Sequence, residues 1–217
     1  MEKHHYAERV GLEEWLVKGY HESDMNHWGL PDDELLKQAK IKFDELMKTK
    51  QPFNLTLLTV DMHGVSGQLN KTCKENGAHD FKTIVACTSS MVADFVNYMI
   101  GQNALERVNI VVIGDHLAMS NDVIDRLHMI PSRTIFNVII SDQKLEKISD
   151  EIVHFDLLPT ILDSLGFQYQ GHKLGLGMSA ITHSNKKLFA ENRIGEIEKQ
   201  VGYDSEFYNQ LWLPRGA

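Results

Sequence analysis

The sequence has few cysteines, few prolines and no excess of basic residues. Its 217 residues include 2 Cys and 5 Pro, which excludes a disulfide-rich secreted module and a proline-rich disordered chain. Lysine and arginine number 22 against 30 aspartates and glutamates, so the formal net charge is −8. Proteins that bind nucleic acid usually present a basic face. We therefore predict no nucleic-acid partner.

Long hydrophobic runs are also missing. The longest, such as residues 55–60 and 110–113, are too short to cross a bilayer, and residues 1–20 are too polar for a signal peptide. The apolar fraction of 42% and the charged fraction of 24% are ordinary for globular proteins. The sequence thus predicts one soluble domain over residues 1–217, without a transmembrane segment.

The two cysteines, Cys73 and Cys87, match no zinc-binding or redox spacing. Free buried thiols are the expected state. A disulfide between them is the alternative if the protein works in an oxidising compartment.

Apolar periodicity predicts alternating helices and strands. Strands are expected at residues 53–60, 109–113 and 134–140. Helices are expected from Pro31 to about Lys50, at residues 80–100, briefly after Asn121, in "HFDLLPTILDSLGF" up to Gly166, and at 185–200. This order indicates an α/β fold whose mainly parallel sheet has helices on both faces.

Two of these predicted strands end in acid and histidine side chains. "TVDMHG" places Asp61 and His63 after the first strand, and "IGDHLA" places Asp115 and His116 after the second. Ligands of open α/β sheets bind outside the carboxyl ends of the strands, so we expect all four side chains at one edge. Aspartate and histidine together suit Zn²⁺ or Mn²⁺. The alternative is that Asp115 caps a turn and His116 is a hydrogen-bonded core residue.

Other motifs are weaker. "GVSGQ" lacks the spacing of a serine-hydrolase nucleophile, and "GLGMS" follows a helix and loop, so a turn is expected there instead of a dinucleotide site. Trp28 is expected in the core, with stacking on a ligand as the alternative.

Four segments carry a family resemblance: "PFNLTLLTVDMHG", "VVIGDHLAM", "HFDLLPTILDSLG" and "GLGMSA". In this order and spacing, residues 28–181 resemble the C-terminal part of the catalytic domain of phosphoglycerol transferases that act on osmoregulated periplasmic glucans. Lipoteichoic acid synthase is a more distant relative, and both belong to the sulfatase and alkaline phosphatase superfamily. The resemblance implies a truncated sulfatase-like fold followed by a C-terminal helical tail at residues 182–217.

The resemblance also implies roles for the four side chains. It makes Asp115 and His116 ligands of a divalent metal, Mn or Zn, and makes His63, with Asp61 beside it, a contact to the substrate phosphate. The implied reaction moves phosphoglycerol from a phosphatidylglycerol-type lipid donor to a glycan or polymer hydroxyl. Hydrolysis of phosphate or sulfate esters and noncatalytic binding of a partner or glycan are the alternatives. Family members commonly read "DTHHPDG" where this chain reads "DMHGVSG".

The nucleophile is the main departure from the family. Its threonine, beside a first acidic metal ligand, should lie well upstream of "HWGLPDDELL", and no strand precedes that segment to carry it. We therefore predict no catalytic residue in this chain and little turnover by it alone. A partner chain that supplies the missing half, or self-association through exposed apolar edges, is expected. For the parent family, the location is periplasmic, at the outer face of the inner membrane.

Overall fold

The computed structural model describes residues 6–147, 151–181, 193–206 and 209–210. The chain divides into two compact units. Unit 1 comprises Met1–Arg107 and Val112–Asn137, and unit 2 comprises Val108–Val111 and Val138–Ala217.

Helices dominate the described residues. They are α1 (Leu12–Val17), α2 (Asp32–Lys48), α3 (Lys71–Glu75), α4 (Phe81–Gly101), α5 (Ile124–His128), α6 (His154–Ser164) and α7 (Arg193–Val201). The strands are short: β1 (Ile110–Ile113), β2 (Asn137–Ile140), β3 (Lys173–Leu174) and β4 (Gly177–Met178). The mixture of helices and small sheets is compatible with the predicted α/β class. The predicted tail falls partly on residues 182–192, 207–208 and 211–217, which lie outside the described residues.

The core of unit 1 forms where α2 packs on α4. Phe43 of α2 is 2% exposed and meets Phe95 of α4 edge to face, with ring centroids 6.4 Å apart. The Tyr98 hydroxyl of α4 donates to the Asp44 carboxylate at 2.7 Å. Both helices were predicted from their apolar periodicity, and both are confirmed to within a few residues at each end.

A disulfide joins α3 to α4. The Sγ atoms of Cys73 and Cys87 are bonded, and Cys73 is fully buried beside Ala78 and Ile84. The expectation of free thiols was therefore wrong, and the alternative holds. Sequence spacing could not decide this point, because the pairing depends on how the intervening turn brings the two helices together.

The predicted strand at residues 53–60 is also wrong. This segment is extended, with alternating half-buried and exposed side chains, but it is not a strand. Among the described residues, no backbone hydrogen bond to another backbone group involves residues 53–59. Its apolar composition favours an extended backbone, but a strand also requires a partner for its ladder.

The strand pair β1–β2 forms a two-stranded sheet. The Gly114 amide, which follows β1, donates to the Phe136 carbonyl, which precedes β2, at 2.9 Å. A large, mainly parallel sheet with helices on both faces is not seen in the described part of the chain and stays a prediction.

Helix α4 is the one described helix that is long and apolar enough to cross a membrane by length and composition. The expectation that the chain has no transmembrane segment therefore stays a prediction. One such helix is weak support for a membrane span. The exposed face of α4 carries Lys82, Asp94 and Asn97, and its other side packs on α2.

Unit 2 is built around α6 and the hairpin formed by β3 and β4, which pair antiparallel. Pro159 has no N–H to donate to the Phe155 carbonyl one turn earlier. Gly177 lies against that carbonyl so closely that an added Cβ would be 1.7 Å from its oxygen. The Met178 amide then donates to Asp156 at 2.8 Å, and the Ala180 amide donates to Thr160 at 2.9 Å. The "GLGMSA" segment thus docks on the "DLLPT" helix, as a structural contact.

Candidate functional site

The first candidate element is built on a reciprocal pair of aspartates. The Asp32 amide donates to Oδ2 of Asp61 at 2.9 Å, and the Asp61 amide donates to Oδ2 of Asp32 at 3.1 Å. The Val60 amide donates to the other Asp32 oxygen at 2.7 Å. Since Asp32 opens α2, these bonds fix the end of the 53–60 segment against the first turn of that helix.

Two asparagines complete the hydrogen bonding of Asp61. Asn26 donates to its Oδ1 at 2.7 Å, and Asn70 donates to its Oδ2 at 2.6 Å. Asn70 also accepts from the Cys73 amide at 2.7 Å and so caps α3. The Asp61 side chain is 0% exposed. These donors and the Asp32 amide hold the Asp61 carboxylate in place.

Burial changes the acidity of both aspartates. It raises the pKa of the Asp32 carboxyl from 3.8 to about 6; the hydrogen bond from the Val60 amide opposes this shift and the charge of Asp61 adds to it. Burial likewise raises the pKa of Asp61, against the hydrogen bond from Asn70. The folded protein therefore binds a proton here more tightly than the unfolded chain does.

His63 lies two residues after Asp61, next to the hydrogen-bonded contact between Asp61 and the first turn of α2. Its amide donates to the Val60 carbonyl at 3.0 Å, and its ring stacks on the Trp28 indole with centroids 3.8 Å apart. Trp28 is 51% exposed, so the expectation of a core position was wrong. Nδ1 of His63 is buried and has no hydrogen-bond partner among the described residues. Such an orphaned buried atom is costly unless a ligand or water meets it.

The loop that carries His63 requires glycine at Gly67. Its φ is +71°, and an added Cβ would lie 3.1 Å from the Asp61 carbonyl oxygen. The next amide, of Gln68, donates to that same oxygen at 2.6 Å. Residues 61–68 therefore form a closed loop, and this loop holds His63 next to the hydrogen-bonded pair of Asp32 and Asp61.

The second candidate element follows β1 and is exposed. The side chains of Asp115 and His116 are 71% and 50% exposed, so His116 is not the core residue of the alternative interpretation. Oδ1 of Asp115 accepts from the His116 amide at 2.9 Å. Nδ1 of His116 lies 2.9 Å from the Leu117 carbonyl oxygen. A neutral imidazole that donates there keeps the Nε2 lone pair for a ligand.

The geometry of this pair fits half of a metal site. Nε2 of His116 and Oδ2 of Asp115 are 3.5 Å apart. Two ligand atoms on one tetrahedral zinc ion, each at roughly 2.0–2.2 Å, lie roughly 3.3–3.6 Å apart. Within the described ranges, no third histidine, cysteine or carboxylate joins them to make a group of three. A complete coordination shell therefore needs ligands from elsewhere.

The loops that carry the two elements touch. The Asp122 amide donates to the Val65 carbonyl at 3.3 Å, which joins the loop after β1 to the loop after Asp61. Among the described residues, however, the four predicted side chains do not form one group that could hold a metal ion, and their position at one edge of a sheet stays a prediction. Their roles as substrate and metal contacts stay predictions.

Sequence reasoning missed the residues that hold the first element, namely Asp32, Asn26 and Asn70. Asp32 lies in the first turn of the helix predicted from Pro31, where acids are common, although its carboxylate is fully buried. Asp156 was likewise not identified from the sequence. That carboxylate accepts from the Val153 amide at 3.0 Å and pairs with Arg193 of α7. An acid on an otherwise apolar helix face was the available signal.

Comparisons with known proteins support the family resemblance that the four sequence segments carry. No family model matches the chain, and no solved structure matches it. The chain is 30% identical over 190 residues to phosphoglycerol transferase I of Citrobacter koseri, covering 84% of this chain and 24% of that protein. It is 33% identical over 165 residues to the proteins of the same name from Escherichia coli and Shigella flexneri, covering 72% of this chain and 21% of each relative.

These matches confirm the resemblance to phosphoglycerol transferases over most of the chain. The chain spans about a fifth to a quarter of the length of the curated relatives it matches. The similarity therefore supports a region that is like part of a phosphoglycerol transferase.

Proposed function

We propose that this chain forms the part of a phosphoglycerol transferase that contacts the substrate phosphate and part of the metal shell. The donor is a phosphatidylglycerol-type lipid and the acceptor is a glycan or polymer hydroxyl. The observation that carries the proposal is the orphaned, buried Nδ1 of His63. It lies under a half-exposed indole on a loop in contact with the loop that follows Asp115 and His116.

Different residues of this chain have different roles in the proposed site. Asp32, Asn26 and Asn70 hold the Asp61 loop rigid, so that His63 enters the site without a large ordering cost. The free Nδ1 of His63 binds a phosphate oxygen of the substrate, while the Trp28 indole covers the ring and excludes water from it.

Asp115 and His116 supply two ligands to Mn²⁺ or Zn²⁺. A bound divalent ion would stabilise negative charge on the phosphoryl oxygens and lower the pKa of an attacking hydroxyl. The attacking hydroxyl and the remaining ligands come from outside the described residues of this chain.

The disulfide supports an extracytoplasmic location. Cys73–Cys87 is a structural bond in the buried core of unit 1, and such bonds persist in oxidising compartments such as the periplasm. This supports the cell-envelope setting proposed for the site.

The extended segment at residues 53–60 has the features of a strand that lacks a neighbouring strand. Leu58 is 66% exposed, and the backbone groups of residues 53–59 have no backbone partner among the described residues. Exposed, apolar extended segments readily add another strand. We propose that this strand comes from a partner chain or another part of a longer protein, with self-association as the outcome when it is missing.

Metal binding gives the first test. Because a ligand that binds the folded state raises its thermal midpoint, added Mn²⁺ or Zn²⁺ should raise the midpoint of the wild-type chain. The double variant Asp115→Ala/His116→Ala should lose this shift, and Asp125→Ala, an exposed acid on α5, should keep it. An equal shift in the double variant would overturn the metal assignment.

Phosphate binding tests His63 separately. Titration calorimetry with glycerol phosphate should show about tenfold or more weaker binding for His63→Phe, which keeps an aromatic ring but loses the hydrogen bond to a charged group. Met62→Ala, at the exposed neighbouring position, should bind as the wild type does. Unchanged affinity in His63→Phe would remove the basis of the proposal.

The reaction class is tested with the longer protein that contains this region. Release of diacylglycerol from phosphatidylglycerol, dependent on a glycan acceptor, is the expected activity. Turnover of simple phosphate or sulfate esters without an acceptor would favour the hydrolase alternative.

A further inference from the structure

A covalent cross-link lies close to the loop that carries His63. Cys73 is the central residue of α3, a helix of only 5 residues, and it is bonded to Cys87 of α4. A helix that short is unstable on its own in water, so the position of α3 depends on what it is attached to. The disulfide attaches it to α4, which is 21 residues long.

Asn70 connects α3 to the His63 loop. Its side chain is buried and makes hydrogen bonds in two directions. Oδ1 accepts from the Cys73 amide at 2.7 Å, and Nδ2 donates to Oδ2 of Asp61 at 2.6 Å. Because one planar amide group makes both bonds, a shift of α3 must either break one of them or move Asp61. A displacement of Cys73 is therefore transmitted to the loop on which His63 lies.

The other half of the cross-link contacts the same loop. Ile84 of α4, one turn before Cys87, lies so close to Gly67 that an added Cβ on the glycine would be 3.3 Å from Cγ2 of Ile84. Ile84 also packs with Cys73 in the buried core, and Cys87 packs against that core. The His63 loop thus touches α4 and the residue that caps α3, which are the two helices that the disulfide joins.

We propose that oxidation of Cys73 and Cys87 assembles the phosphate-binding site at His63. In the disulfide form, the His63 ring is held against Trp28, and Nδ1 is available to the ligand. In the dithiol form, α3 is released from α4, its cap no longer holds Asp61, and the ring loses its fixed position. This inference rests on the proposed function, and it restricts phosphate binding to a chain that has reached an oxidising compartment.

The exchange requires a dithiol as the reductant. Cys87 is half-buried and Cys73 is fully buried, so Sγ of Cys87 is the atom open to attack. One thiolate of the reductant bonds to Cys87 as the protein disulfide breaks, and Cys73 leaves as a thiolate and takes up a proton. The second thiolate closes the disulfide of the reductant and releases Cys87, which also takes up a proton. Two electrons have then passed from the dithiol to the protein, and a disulfide oxidant takes them back in the reverse direction.

Reduction by dithiothreitol tests the proposal, since the chain contains 2 cysteines and therefore one target. In titration calorimetry, glycerol phosphate should bind about tenfold or more weakly after reduction, because a positioned hydrogen bond to a charged group is lost. NMR of the His63 ring protons, which the Trp28 indole shifts, should show movement towards the signals of a mobile histidine. Cys73→Ser/Cys87→Ser should match the reduced wild type and should not respond to dithiothreitol.

Asn70→Ser tests the connection while the disulfide stays intact. Serine can still cap α3, but its shorter side chain does not reach the Asp61 carboxylate. The affinity for glycerol phosphate and the His63 ring signals should therefore change as they do on reduction. Lys74→Ala, at an exposed position of α3, is the control and should behave as the wild type does.

The contrary results are separable. Equal affinity and unchanged ring signals in the oxidised and reduced wild type, with reduction verified by thiol titration, would overturn this inference alone. If reduction abolishes the circular dichroism spectrum of the fold, oxidised Asn70→Ser decides, and wild-type affinity in that variant would overturn the inference. An oxidised wild type that binds no glycerol phosphate would contradict the proposed function, and this inference with it.

Discussion

Unit 1 has two acid and histidine elements, Asp61 with His63 and Asp115 with His116, and they differ in how far the fold buries their side chains. Asp61 is fully buried, and its carboxylate accepts three hydrogen bonds. Asp115 is largely exposed, and the bonds described for it and His116 are to their own neighbours. The same residue types after two extended segments therefore differ in role: Asp61 is part of a buried hydrogen-bonded framework, and Asp115 and His116 expose their side chains to solvent.

This contrast predicts that Asp61→Ala is the most damaging single change considered. It leaves donors of Asn26, Asn70 and the Asp32 backbone unpaired in a buried place. Each unsatisfied buried donor costs about 1–3 kcal/mol, so the free energy of unfolding should fall by at least ~3 kcal/mol. Urea denaturation followed by circular dichroism measures it. Met62→Ala in the same loop is the control, and a loss of under about 1 kcal/mol for Asp61→Ala would show that the junction is not structural.

The disulfide should support the buried element and leave the exposed one unaffected. Cys73 and Cys87 are separated by 14 positions, and closing a loop of that size stabilises the fold by about 3 kcal/mol. Asn70 links this bond to Asp61, because it caps α3 one turn before Cys73.

We expect Cys73→Ala/Cys87→Ala to lose about that amount of stability. In hydrogen exchange, the Gln68 amide, bonded to the Asp61 carbonyl, should exchange faster in this variant, whereas the His116 amide should not change. Equal acceleration at both amides would mean that the two elements are not separable.

The pH dependence of stability should distinguish the buried element again. The folded-state pKa of Asp32 is raised from 3.8 to about 6. Its contribution to stability is therefore fully present below about pH 4 and is lost as the pH rises through about 6. Acids with lowered pKa, such as Glu34, act in the opposite direction, so a comparison with a variant is needed.

Asp32→Asn removes this titration. Although it is less stable at every pH because an acceptor is lost, its thermal midpoint relative to wild type should become less unfavourable between pH 4 and 7. Midpoints measured at intervals across that range give the difference. A difference that stays constant, or grows with pH, contradicts the raised pKa.

The sequence predicted the helices well and the sheet poorly. The apolar faces of α2 and α4 are local patterns and were readable, as was the start of α4 at Asp80, whose carboxylate accepts from the Thr83 amide. The 53–60 segment has a strand-like composition, but its pairing depends on residues far away in the chain or outside it. Likewise, nothing local shows that Asp61 would be buried and Asp115 exposed, because the partners of Asp61 include Asn26 and Asp32, which lie 35 and 29 positions before it in sequence.

The smallest effect is expected at the exposed element. Asp115→Ala and His116→Ala each remove a bond to a neighbouring residue on a solvated loop, so stability without metal should change by less than about 0.5 kcal/mol. With metal present, the same substitutions should remove the ligand-induced rise in the thermal midpoint. Measuring both variants with and without Mn²⁺ or Zn²⁺ therefore separates a ligand role from a structural one. A large loss of stability without metal would place Asp115 and His116 in the framework with Asp61 and remove the contrast between the two elements.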